Sequence, residues 1–185
     1  MQYFTSDTHF FHKKVIEYCN RPFRDVEQMN EYLVYAWNTV VMEQDAIVNF
    51  VGDFSFGTAD QTKEIFRRLK GRKRLIVGNH DKSRTKNWWR NLGFEEVVDS
   101  KVIQLGKFEV TLCHYPTGDP KHASYNAAFA QEKNQWLVCG HVHEQWRVRG
   151  NIINVGVDAW GFCPVMDFQL IKIMEGWDVE QTVQR

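Results

Sequence analysis

Five short apolar runs in this chain each end on an aspartate, histidine or asparagine, and that repeated change of polarity constrains the fold more than any other feature. "QYFTS" leads into "DTH" with Asp7 and His9, and "AIVNFV" into Gly52 and Asp53. "RLIV" leads into "GNHD" with Asn79, His80 and Asp81. "FEVTLC" leads into His114, and "WLVC" into "GHVH" with His141 and His143. Short β-rich runs of this kind read as buried strands. Groups this polar are expensive to desolvate at a strand end unless something binds them.

The segments between the first strands are helical in pattern. "DVEQMNEYLVYAWNTVV" carries apolar side chains at 26, 29, 33, 37, 40 and 41, with Asp25 as its N-cap. Thr58 can cap "ADQTKEIFRRLK", which Gly71 stops, and Asp81 can cap "KSRTKNWWRNL". Alternation of strand, polar loop and helix describes βαβ units and a partly parallel sheet, whose ligands bind beyond the carboxyl ends of the strands. The second half is richer in strands: "EEVVD", "KVIQL", "FEVTLCH", "WLVCGH", "WRVR", "NIINVGV" and "VMDFQLIKI", with one helix around "YNAAFAQEK". The expectation is an α/β (α+β) chain in which a second sheet packs on the first with helices outside. The 185 residues read as one domain, with no clear signal from 177 to 185, where a tail is expected.

Lys and Arg number 23, as do Asp and Glu, so no global field recruits nucleic acid or an anionic membrane. The start "MQYFTSDTHF" does not read as a signal peptide, and no apolar run reaches membrane-spanning length, so a cytoplasmic protein is expected. Cys19, Cys113, Cys139 and Cys163 are too scattered for a thiolate metal site and read as reduced thiols.

Five histidines and three carboxylates at one sheet rim would perturb one another's titration unless a cation neutralised them. Imidazole, carboxylate and amide donors without thiolate suit borderline divalent ions. One ion takes about four to six donors, so this set implies two ions roughly 3.5–4 Å apart with a bridging carboxylate.

The ordered motifs "SDTHFFH", "GDFSFG", "GNHD", "CHYP" and "GHVH" resemble those of the calcineurin-like metallophosphoesterases, especially small single-domain bacterial and phage members. The resemblance implies a four-layer αββα sandwich, two mixed β-sheets flanked by helices. It also implies a ligand set: Asp7, His9 and His143 for one metal, Asn79, His114 and His141 for the second, and Asp53 bridging. The cofactor expectation is two divalent metal ions, manganese first, with iron, zinc, nickel or magnesium as alternatives. His80 would contact the phosphate and protonate the leaving oxygen, Asp81 would orient or charge that imidazole, and Gly78 would permit the sharp turn.

The expected reaction is phosphodiester hydrolysis of a small or nucleotide-like substrate by a metal-bridging hydroxide. Phosphomonoester or nucleotide pyrophosphate hydrolysis is the alternative. Long nucleic acid is a less favoured partner, and a non-catalytic scaffold is disfavoured because His80 and the full ligand set are present. Lys82 and Arg84, directly after the catalytic loop, join Asn79 and His80 as candidate substrate contacts. His12 and His122 lie near the motifs without fitting the metal pattern, and Trp160 reads as a packing residue at the rim.

Overall fold

The computed structural model describes residues 1–116 and 135–178. Two five-stranded mixed sheets stack on one another. In the first, β1 (Gln2–Thr5), β2 (Ile47–Phe50), β3 (Arg72–Ile76) and β4 (Glu96–Val98) run parallel, and β10 (Val165–Met166) closes the edge antiparallel to β1. The second has the order β5 (Ser100–Leu105), β6 (Phe108–Cys113), β7 (Trp136–Cys139), β9 (Ile152–Asn154), β8 (Val148–Arg149). Its inner strands β6, β7 and β9 are parallel.

Side chains alternate across each strand, so each sheet feeds two cores. Tyr3, Val48, Phe50, Leu75 and Val77 face the helices α1 (Lys13–Tyr18), α2 (Val26–Val40), α3 (Ala59–Arg68) and α4 (Lys86–Leu92). Phe4, Val51 and Ile76 face the other way, against Val110, Leu112, Val138 and Ile153 of the second sheet. On α2 the expected stripe is the buried one: Met29, Leu33 and Trp37 pack on the first sheet, each burial contributing about 1.5–3 kcal/mol. Asp25 caps this helix by accepting the Gln28 N–H at 2.8 Å. Thr58 caps α3, and the Gln61 side chain returns the bond to the Thr58 N–H.

Two readings need correction. "VMDFQLIKI" is a two-residue strand followed by α5 (Asp167–Met174). Leu170, Ile173 and Met174 form a helical stripe in the inter-sheet core, and the Gln169 side chain takes the Met166 N–H at 2.9 Å, so the helix starts where alternation suggested continued strand. Asp81 caps no α-helix: it opens a single 3-10 turn, and α4 starts five residues later with Thr85 as its cap. The helix expected around 125–133 lies outside the described residues, as do His122 and the tail from 179.

Because β1, β2 and β3 are parallel, their carboxyl ends emerge along one edge, and β6 and β7 do the same in the second sheet. A hydrogen-bond contact joins the two edges, with His114 Nδ1 2.7 Å from the Val51 carbonyl.

Candidate metal centre

Backbone conformation is the first sign that these strand ends are built for something. Asp7, His9, Asp53, His141 and His143 all have φ between 48° and 72°, the left-handed region that costs a side-chain-bearing residue roughly 1–2 kcal/mol. Only three other non-glycine residues among those described share it: Phe11, Asn20 and Phe162. The strain is thus concentrated where the polar side chains converge.

The donors meet in two groups. Atoms of Asp7, His9 and His143 lie within 4.8 Å of one another, and so do atoms of Asp7, Asp53 and His114. Asp53 Oδ2 stands between them, 3.7 Å from His9 Nε2 and 3.4 Å from His114 Nε2. Asn79 Oδ1 is 3.1 Å from both His114 Nε2 and His141 Nδ1. All seven residues expected as ligands therefore face one space.

Close backbone approach is needed for this, and two glycines allow it. A Cβ on Gly78 would come 2.2 Å from Asp53 Oδ1, and one on Gly140 would come 2.4 Å from Asp7 Oδ2. Gly78 does not adopt positive φ, so it is required for room rather than for the turn.

The chemistry fits a cation. His9 is 2% exposed, and neither ring nitrogen has a hydrogen-bond partner, an orphan pair rarely tolerated in a core. Burial pushes the His9 imidazole well below its ordinary range and raises Asp7. Burial also opposes charge on Asp53 and His114, yet their mutual attraction prevails: the carboxyl is held low and the imidazole is raised to about 9. His143 rises to about 11 against its burial, chiefly through the Asp158 carboxylate. The attraction that favours a proton on His114 and His143 is the attraction these carboxylates would exert on a divalent ion.

Around the donors sits a supporting layer. Ser6 Oγ–H donates to Asp7 Oδ2 at 2.6 Å, and the His141 N–H reaches the same oxygen at 3.0 Å. Asp158 Oδ2 is 2.9 Å from His143 Nδ1. Arg21, 4% exposed, donates from Nε and Nη2 to Asp158 at 2.7 and 2.8 Å, and from Nη2 and Nη1 to the carbonyls of Asp7 and Thr8. The local sequence does not mark Arg21 for this role; its only signal there is an arginine shortly after a metal-type motif.

His80 lies at the mouth, its side chain 45% exposed, with Nε2 3.9 Å from Asp53 Oδ2 and its backbone N–H donating to Asp53 Oδ1 at 2.9 Å. Asp81 does not reach that ring. Buried at 1% exposure, its carboxylate accepts the N–H groups of Asp53, Phe54 and Gly78 at 2.7, 3.0 and 2.9 Å, and burial followed by the Asp53 charge raises it to about 6. Lys82 Nζ lies 3.2 Å from the Tyr115 hydroxyl, and Arg84 is half-buried in a cleft beside His80. His12 joins a second cleft of about 350 Å³ with His9, His80 and His143. Cys113 and Cys139 are buried, and Trp160 packs with its Nε1–H on the Asn154 carbonyl at 2.6 Å.

The sequence matches the calcineurin-like phosphoesterase superfamily domain over residues 3–157. It is 34% identical over 190 residues to the uncharacterized protein MJ1445 of Methanocaldococcus jannaschii, covering 98% of this chain and 95% of that protein. The Gene 66 protein of Mycobacterium phage L5 is 32% identical over 190 residues, covering 86% of this chain and 87% of its own. Among solved structures, the Aquifex aeolicus protein of unknown function AQ665 superposes with a TM-score of 0.76 at 26% identity, over 94% of this chain and 98% of that one. With its sandwich fold and rim of metal-type donors, the chain belongs to the calcineurin-like phosphoesterase superfamily, a superfamily of phosphoester hydrolases.

Proposed function

We propose that the chain is a two-metal phosphodiesterase acting on a small or nucleotide-like substrate. The observation that carries this reading is the double convergence of donors, with Asp53 between His9 and His114 and Asn79 between His114 and His141. In it, Asp7, His9 and His143 hold one divalent ion, Asn79, His114 and His141 hold the other, and Asp53 is shared. Divalent ions in such a site acidify water and neutralise charge developing on phosphate oxygens, chemistry open to manganese, iron, zinc, nickel or magnesium.

The remaining roles fall to the chain's own side chains. His114, with Nδ1 against the Val51 carbonyl, is held with Nε2 facing the centre. His80 stands at the cleft mouth with Nε2 toward Asp53, suited to donate a proton from that atom to the departing alkoxide oxygen. Asp81 acts through the backbone, pinning the loop that carries Asn79 and His80 to the one that carries Asp53. Lys82 and Arg84 flank that loop as substrate contacts.

The test is a hydrolysis screen of phosphomonoesters, diesters, cyclic nucleotides and dinucleotides with added manganese. Diester hydrolysis abolished by chelation supports the reading. Activity confined to monoesters assigns a phosphatase instead.

A further inference from the structure

Two clefts open on either side of His80. One, described above, runs toward α1 and includes His12 and Tyr18. The other, of about 360 Å³, is lined by Ser55, Phe56, Asn79, His80, Ser83 and Arg84. Phe56 divides them: its ring is 44% exposed and stands 4.1 Å from the ring of His12 and 4.7 Å from that of His80.

Arg84 gives the second cleft its character. Its guanidinium is half-buried, stacked 4.0 Å above the Trp88 ring, with Nη1–H on Thr62 Oγ1 at 3.1 Å and Nη2–H on the Gly57 carbonyl at 2.5 Å. These contacts fix its direction and use two of its five N–H donors. No carboxylate lies within ion-pair distance of it among the described residues, whereas Arg21, Arg24, Arg68, Arg72 and Arg74 each have one. A partly desolvated, immobilised guanidinium with spare donors and no carboxylate in contact among the described residues, the buried Asp81 acting on it only from a distance, on the wall that also carries Asn79 and His80, is a receptor for an anion.

We infer that the Arg84 cleft is a subsite for a second phosphate group, so that the preferred substrate is a phosphoester bearing another phosphate on the arm that passes Phe56. This rests on the phosphodiesterase reading for the site of cleavage, and it adds which esters are selected.

The test uses two p-nitrophenyl diesters of thymidine 5′-phosphate that differ only by a 3′-phosphate. Binding of thymidine 5′-monophosphate and thymidine 3′,5′-bisphosphate to the manganese-loaded protein is followed by calorimetry alongside. The extra phosphate should lower KM and Kd by about tenfold or more in the wild type. Arg84→Gln should reduce that preference to within about twofold, read as the ratio between the two esters and between the two nucleotides measured on the same variant, and Arg84→Lys, which keeps the charge, should retain most of it. Equal weakening of both ligands in Arg84→Gln, or no preference in the wild type, overturns the subsite. If no ester turns over but the Arg84-dependent binding preference persists, the proposed reaction fails and the subsite stands.

Discussion

Asp158 Oδ2 lies 2.9 Å from Nδ1 of His143, holding a ring that also comes within 4.8 Å of donor atoms of Asp7 and His9. Arg21 grips the same carboxylate, 137 positions away in sequence, through two donors and also holds the carbonyls of Asp7 and Thr8, so one buried guanidinium ties the Asp7 backbone to the support of His143. Removing such outer support from a metal-bound histidine weakens metal binding by about 10–100-fold. Asp158→Asn and Arg21→Lys should each do so in a manganese titration, the lysine because it lacks the two-pronged geometry. Unchanged affinity in both variants would show that the His143 orientation does not depend on this pair.

His80 and Asp53 should separate cleanly. His80→Gln is expected to retain manganese binding and lose about 10²–10⁴-fold in kcat, the range for a general acid. Asp53→Asn, altering the carboxylate between the two donor groups, is expected to lose bound metal as well as activity. Metal analysis beside steady-state kinetics reads both; equal metal loss in the two variants would refute this division of roles.

Asp81 is predicted to matter through stability. Asp81→Ala leaves three backbone N–H groups, of residues 53, 54 and 78, without their acceptor. At about 1–3 kcal/mol for each unsatisfied buried group, the loss should be roughly 3 kcal/mol or more, read as a lower thermal midpoint. Asp81→Asn, which keeps one acceptor oxygen, should recover part of it. Were Asp81→Ala as stable as wild type, the carboxylate would not be what pins these loops together.

Lys73 sets a pH signature far from the centre. It is 6% exposed, donates to the carbonyls of Leu69 and Gly71 at 2.7 and 2.8 Å, and burial pushes its pKa down to about 8. Below that pH both folded and unfolded chains carry the proton; between about 8 and the ordinary lysine value of about 10.4 the unfolded chain binds more, so stability contributed by this group rises with pH. The unfolding free energy of wild type relative to Lys73→Met should therefore increase across that window, by as much as roughly 3 kcal/mol. A flat difference would contradict it.

Much of the centre could be read from the sequence because its donors sit at strand ends, where an abrupt change from apolar to polar residues is a local signal. Helix starts at Asp25 and Thr58 were legible for the same reason, since a cap and its amide are three residues apart. What escaped depended on tertiary neighbours. Nothing near Arg21 announces a partner at Asp158, and the local sequence of Asp81 suits a helix cap until the loops of Asp53 and Gly78 fold against it. "VMDFQLIKI" satisfies both strand and helix periods over so short a span that only the core beneath Leu170 and Ile173 decides.

The most direct measurement is anomalous diffraction from a crystal soaked in manganese. Two peaks are expected, one among Asp7, His9 and His143 and one among Asn79, His114 and His141, with Asp53 between them. A single peak, or none within coordinating reach of these side chains, would contradict a two-metal centre.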